Sequence, residues 1–195
     1  MCGLPAASLH APQYYVTGEE ECAGRELVVK LGLDPARPII GINTGSGSRW
    51  TMKSLPSDKL KNLIEKLAAT YQVLLLGGPE EVEKNARLSL LTGVPDSGCG
   101  HSLRQFAGIV SQCRMVITGD TLALHLALAE QKLVIAVFGP TSAHEIDLFH
   151  RGDKFFSSAD CLCCYLPGCG QSPTCMELIS VDEIAGATER LLTAP

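Results

Sequence analysis

No stretch of about 18 uninterrupted apolar residues occurs in this 195-residue chain, so the sequence encodes no membrane-spanning helix. There is no basic run either. The 16 Lys and Arg residues are scattered among 21 Asp and Glu, the net charge is -5, and nothing points to nucleic acid. An anionic ligand stays compatible with that balance, because local geometry outweighs net charge. The N-terminus, MCGLPAASLHAPQYYV, lacks the basic start and apolar core of a signal peptide. It reads as the tail of a linker or a truncation point. The chain is therefore expected to be cytoplasmic, with a peripheral place at the inner membrane as the variant of that reading. Internal repeats and low-complexity segments are missing too.

What is present suits one domain, or one domain with an appendage. Hydrophobic residues make up 46% of the chain. A chain of this length buries roughly 70% of its unfolded surface and needs no staples to fold. Four short apolar runs read as strands: PIIGINTG from Pro38, QVLLLGG from Gln72, RMVIT from Arg114 and KLVIAVFG from Lys132. They are apolar throughout rather than alternating, as strands buried on both faces are. Helical patterns fill the gaps. GEEECAGRELVVKLGL (18–33) opens acidic, and LPSDKLKNLIEKLAATY (55–71) has Leu60, Leu63, Ile64 and Leu67 on one face, with Ser57 or Asp58 as cap. PEEVEKNARLSLL, SLRQFAGIVSQC, TLALHLALAEQ, a short TSAHEIDLF helix and a last helix over 180–192 complete the pattern. A piece around Val94 reads as an edge strand or a loop. This alternation predicts a doubly wound α/β domain with a parallel sheet.

In such a sheet, ligands bind beyond the carboxyl ends of the strands. Four places qualify. NTGSGSRWTMK (43–53) has Gly45 and Gly47, which let backbone N–H groups approach an anion, and Arg49 and Lys53 as cations. It is neither a Walker loop nor GxGxxG, and a plain surface loop is the competing reading. GGPEE sets Glu80 and Glu81 at a helix start; Glu81 reads as dipole compensation, Glu80 also as an acceptor for ribose or sugar hydroxyls. GDTLALH makes a strand, a turn and a helix N-terminus whose free N–H groups suit a diphosphate. There Asp120 caps the helix, meets a ligand, or does both, and His125 shares one helix side with Thr121. FGPT closes the fourth strand, with Thr141 as the expected cap.

In this order and spacing, the stretches GINTGSGSRWTMKSLP, VLLLGGPEE, SLRQFAGIVSQCRMVITGDTLALHLALA and VIAVFGPTSAHE resemble glycosyltransferase family 9, the ADP-heptose:lipopolysaccharide heptosyltransferases. The likeness is to the C-terminal, donor-binding domain and runs from about Pro38 to Leu192. It implies a Rossmann-like three-layer parallel sheet, one half of a GT-B fold, over 38–195, with 1–37 as a linker and helix remnant. It implies a glycosyltransferase moving a sugar from a nucleotide-diphosphate donor, ADP-heptose or similar, to a lipopolysaccharide or other glycan acceptor. By resemblance, Lys53, Asp120 and His125 are the catalytic residues. Donor binding falls to Thr44, Gly45, Ser46, Arg49, Lys53, Glu80, Asp120, Thr121, Leu122 and His125. No cofactor is required, since Lys53 and the helix dipole offset the diphosphate charge. Two departures stand out. The family commonly has Gly where this chain has Leu122. Family members also carry an N-terminal acceptor domain, for which 37 residues are too few, so the isolated chain is expected to bind donor but turn over little. A non-catalytic nucleotide-sugar-binding module needing a separate acceptor domain, a metal- or iron–sulfur-binding module resting on the cysteines alone, and, less readily, a GT-B epimerase are the alternatives.

One compositional break remains. CLCCYLPGCGQSPTC packs Cys161, Cys163, Cys164, Cys169 and Cys175 into 15 residues. No metal is expected as the leading reading. The five thiols are nonetheless the candidates for zinc or an iron–sulfur cluster, though their spacing matches no standard run. Reduced structural thiols and disulfides are the other readings.

Overall fold

The computed structural model describes residues 11–194. The expected linker therefore lies partly outside the described residues. Five strands form one parallel sheet in the order β2-β1-β3-β4-β5. They are β1 (Ile39–Asn43), β2 (Gln72–Leu76), β3 (Met115–Gly119), β4 (Leu133–Phe138) and β5 (Gly152–Phe156). Outside β2, the residues around Val94 make a rudimentary sixth edge. The Leu75 N–H donates to the Pro95 carbonyl (3.0 Å), and the Ser97 N–H to the Leu75 carbonyl (3.0 Å). The order reverses between β1 and β3, which is the switch point where such sheets open a ligand crevice.

Successive strand residues face opposite layers, and both layers are covered. Ile39, Leu74, Leu76, Val116, Val134, Ala136 and Phe138 pack with α1 (Gly18–Lys30), α4 (Leu103–Val110) and α5 (Leu122–Ala129). Ile40, Ile42, Val73, Leu75, Met115, Ile117 and Val137 pack with α2 (Ser57–Ala68), α3 (Val82–Thr92) and α7 (Val181–Thr193). This is the expected three-layer α/β arrangement, and the four continuously apolar runs are its inner strands.

Several local expectations change. β5, GDKFF, is half-exposed and was not anticipated, because an edge strand lacks the apolar run of a buried one. TSAHEIDLF forms only a single 3-10 turn, Ala143–Glu145, capped by Ser142 rather than Thr141. Neither Ser57 nor Asp58 caps α2; Pro56 holds that position with no side-chain bond. PEE is a 3-10 turn, Pro79–Glu81, before α3 begins at Val82.

Helix α1 is seated on α4 by two glycines. A Cβ on Gly24 would collide with the Gly108 carbonyl, and one on Gly108 with the Glu20 carbonyl. Val28 enters the core, and Thr17 and Glu20 form a capping box at the helix start. Arg104 of α4 reaches Glu20 at 3.0 Å.

Candidate functional site

The loop after β1 and the turn after β3 meet at the switch point. Asn43 ties them together. Its side-chain amide donates to the Gly45 carbonyl (2.8 Å) and reaches the hydroxyls of Thr118 (3.1 Å) and Thr121 (3.2 Å). The loop continues as a 3-10 segment, Ser48–Lys53, that brings Lys53 back to the β3 end. Its backbone passes so close that any side chain on Gly119 would strike the Lys53 carbonyl. The Lys53 ammonium then donates to the Asp120 carboxylate at 2.9 Å and to the Asp120 carbonyl at 3.3 Å. Both side chains are largely shielded, so this pair is screened less than a surface one. His125 Nε2 stands 3.9 Å from the other Asp120 oxygen.

Asp120 is therefore not a helix cap, because its carboxylate is committed to Lys53. Thr121 holds the cap position of α5 and makes no side-chain cap bond. The first turn of α5 thus presents N–H groups without a side-chain acceptor, beside the Lys53 ammonium, which is a favourable setting for an anion. Leu122 sits at the first helical position, half-exposed, and lines the neighbouring pocket.

That pocket, about 470 Å³ in volume, runs from the glycine loop across to α4. Gly45, Ser46, Glu80, Thr121 and Leu122 line it, as do His101, Leu103 and Phe106. The last three were not anticipated. Their only sequence signal is the Ser102–Gln105 capping box, which starts α4 at the pocket rim. Their apolar surfaces make a wall suited to a flat ring, opposite the polar loop.

The glycine loop differs from an open anion nest. The Gly47 N–H donates to Glu81 at 3.2 Å, and the Ser48 N–H donates to Glu80. Glu81 also accepts from the Gly78 N–H at 2.9 Å and is nearly buried. Its carboxylate fills the space a Cβ on Gly45 would need. The two carboxylates at the start of α3 thus occupy the loop amides that the sequence suggested for an anion. Gly47 has φ 76, the left-handed region glycine tolerates.

Beneath the loop lies a buried polar layer. Thr44 is fully buried; its hydroxyl bonds Asn85 and the Leu76 carbonyl, so its side chain does not face the pocket. Lys84, also unanticipated, donates to the Thr44 carbonyl at 2.5 Å. Burial lowers its ammonium pKa, against the opposing pull of Glu81. Ser46 bonds the Trp50 carbonyl at 2.5 Å. Arg49 lies over the Trp50 ring at 5.9 Å and Lys53 at 5.3 Å, so one aromatic plane supports both cations.

Comparison with known proteins identifies the family. The sequence profile of glycosyltransferase family 9 (heptosyltransferase) matches residues 11–164. The chain belongs to glycosyltransferase family 9. Lipopolysaccharide heptosyltransferase 2 of Salmonella typhimurium is 28% identical over 122 residues, 57% of this chain and 34% of that protein. The protein of the same name from Escherichia coli is 27% identical over 123 residues, again 34% of its length. The chain thus matches about a third of these curated relatives. Among solved structures, Escherichia coli ADP-heptose lps heptosyltransferase II superposes with TM-score 0.73 at 21% identity, covering 97% of this chain and 55% of that one. A family 9 glycosyl transferase from Veillonella parvula gives 0.74 at 18% identity, with 97% and 56% coverage. TibC, an iron-containing dodecameric heptosyltransferase crystallised with ADP-D-beta-D-heptose, gives 0.60 at 15% identity. The five-stranded parallel sheet and its superposition on the Escherichia coli and Veillonella parvula structures bear out the fold expected from the sequence motifs. Among the described residues, no helix is long and apolar enough to cross a membrane.

Proposed function

We propose that this chain is the donor-binding half of a family 9 glycosyltransferase, acting on a nucleoside-diphosphate sugar of the ADP-heptose class and a lipopolysaccharide or related glycan acceptor. One observation carries the reading: the Lys53–Asp120 pair adjoins the uncapped start of α5, whose Thr121 and Leu122 line a pocket with an apolar far wall. The nucleoside lies against His101, Leu103 and Phe106, with Glu80 facing its ribose hydroxyls. The diphosphate lies at the first turn of α5, with Lys53 as its counter-charge and Arg49 behind it. Thr121 and Leu122 flank it. Gly45 and Ser46 form the floor, and Thr44 supports that floor through the buried bond to Asn85.

The chemistry is displacement at the anomeric carbon. An acceptor hydroxyl forms the new C–O bond while a base from outside residues 11–194 takes its proton. The bond to the diphosphate breaks, and its electron pair leaves with the phosphate oxygen. Charge therefore grows where Lys53 and the α5 amides already point, so they bind the transition state better than the ground state. Asp120 holds Lys53 in place, and His125 faces the same carboxylate at the sugar end. No cofactor enters this scheme. The work is done at the cytoplasmic side, where a soluble donor meets its acceptor.

Calorimetric titration with ADP, UDP, GDP and CMP sugars tests the reading. One donor base should bind clearly best. Lys53→Ala should weaken that binding by about ten- to a hundredfold, the loss of one charged hydrogen bond to phosphate. Asp120→Ala should weaken it less, by freeing Lys53. Unchanged binding in both variants refutes the assignment.

A further inference from the structure

The turn after β4 carries a polar group that the donor pocket leaves unused. Thr141 was the expected cap of the next helix, but Ser142 takes that place. The Thr141 side chain is instead buried, at 6% exposure, and its hydroxyl has no hydrogen-bond partner among the described residues. An orphaned buried hydroxyl costs about 1–3 kcal/mol, so this group calls for a partner that those residues do not supply.

Thr141 lines a cavity of about 60 Å³, the room that about two waters take in the liquid. Phe138 and Leu162 give it apolar walls, and the exposed His144 and Phe156 line its open side. The connection from β5 to α6 (Cys175–Leu178) is strapped across this turn. The Cys163 N–H donates to the Gly139 carbonyl at 3.1 Å, and the Tyr165 N–H to the Pro140 carbonyl at 2.8 Å. The Tyr165 hydroxyl donates to Glu145 at 2.6 Å and accepts from the Ser142 N–H at 3.3 Å. These bonds fix the two walls around a space that neither segment fills.

Its place along the sheet says what enters. Glu80 follows β2, the glycine loop follows β1, Asp120 follows β3 and Thr141 follows β4, so the strand order sets these four side by side. Gly119 pairs with Val137, which brings Phe138 alongside Asp120. The donor reading puts the ribose at the first of these stations and the diphosphate at the third. The sugar beyond the diphosphate then reaches the fourth. We infer that the Thr141 cavity is the subsite for the terminal hydroxymethyl group of the transferred sugar. Its carbon lies between Phe138 and Leu162, and its hydroxyl pairs with the Thr141 hydroxyl. This rests on the donor reading. Two heavy atoms, one apolar and one polar, match both the size of the cavity and its unpaired hydroxyl. A sugar without that group leaves Thr141 buried and unpaired, and is disfavoured for that reason.

The test titrates the full chain by calorimetry with ADP, ADP-glucose, ADP-heptose and ADP-xylose; of the three sugars, only xylose lacks the hydroxymethyl group. ADP-glucose and ADP-heptose should bind more tightly than ADP-xylose. Thr141→Val keeps the shape and removes the hydroxyl. It should weaken ADP-glucose and ADP-heptose by about three- to tenfold, the loss of one neutral hydrogen bond, and leave ADP and ADP-xylose unchanged. Thr141→Ser should keep the preference. Thermal unfolding of Thr141→Val should show no loss of stability, because no partner within the fold is given up. If Thr141→Val weakens all four ligands alike, or none of them while Lys53→Ala still weakens ADP, the subsite is refuted and the donor reading stands. If Lys53→Ala leaves ADP binding unchanged, both are refuted. A clear loss of stability in Thr141→Val gives the hydroxyl a structural role and overturns the inference as well.

Discussion

Glu130, at the C-terminal end of α5, should make this domain less stable as the pH rises through neutrality. Both of its carboxylate oxygens are buried with no hydrogen-bond partner among the described residues. Desolvation raises its pKa from the ordinary 4.5 to about 7, only partly offset by Lys132. Its place at a helix C-terminus, the negative end of the dipole, is unfavourable for an anion as well. The folded state thus holds this proton while the unfolded chain has lost it. Between about pH 4.5 and pH 7 the folded state binds more protons, so stability declines across that window. The full shift corresponds to about 3 kcal/mol at 1.36 kcal/mol per unit. The rest of the side chain still meets solvent, which screens the charge and reduces the figure to about 1–2 kcal/mol. Glu130→Gln keeps the shape and removes the titration. Urea unfolding of both proteins at pH 5 and pH 8 isolates the effect, because every other group cancels in the difference. The variant should gain about 1–2 kcal/mol at pH 8 and close to nothing at pH 5. An equal difference at both values would sink the reasoning.

Gly24→Ala should force α1 off α4, at a cost of about 3 kcal/mol, because the new methyl meets backbone rather than a movable side chain. Hydrogen exchange along Gly18–Lys30 would report it, and unchanged protection there would contradict the packing described. Asn43→Ala leaves Thr118 and Thr121 short of a partner, so a loss of about 1–3 kcal/mol is expected together with weaker nucleotide binding. Thermal unfolding and calorimetry check the two effects separately. Leu122→Gly removes a side chain from the pocket and lets phosphate approach the α5 backbone, so ADP should bind more tightly. Equal or weaker ADP binding by a folded Leu122→Gly protein would show that Leu122 does not limit donor approach.

Much of this molecule was legible in the residues themselves. The four buried strands announced themselves because both of their faces are covered, which leaves no reason for polar alternation. The helix faces, and the position of the polar residues at strand ends, followed from period and punctuation. Lys53, Asp120 and Thr121 were found as separate signals at those ends. What stayed hidden depends on which ends become neighbours. β5 is half-exposed, so its composition resembles a loop. His101, Leu103 and Phe106 look like an ordinary helix start until α4 is placed across the β1–β3 crevice. Lys84 and Asn85 read as routine helix residues, yet they support the glycine loop from below.

The sequence by itself determined the layer architecture, since burial on one or two faces is written into local periodicity. Only the tertiary structure decided how the polar residues are used. It gave Asp120 to Lys53 rather than to the helix cap, and set Glu80 and Glu81 on the loop amides. Each choice depends on groups far apart in sequence meeting within a few ångströms, and local periodicity carries no information about such meetings.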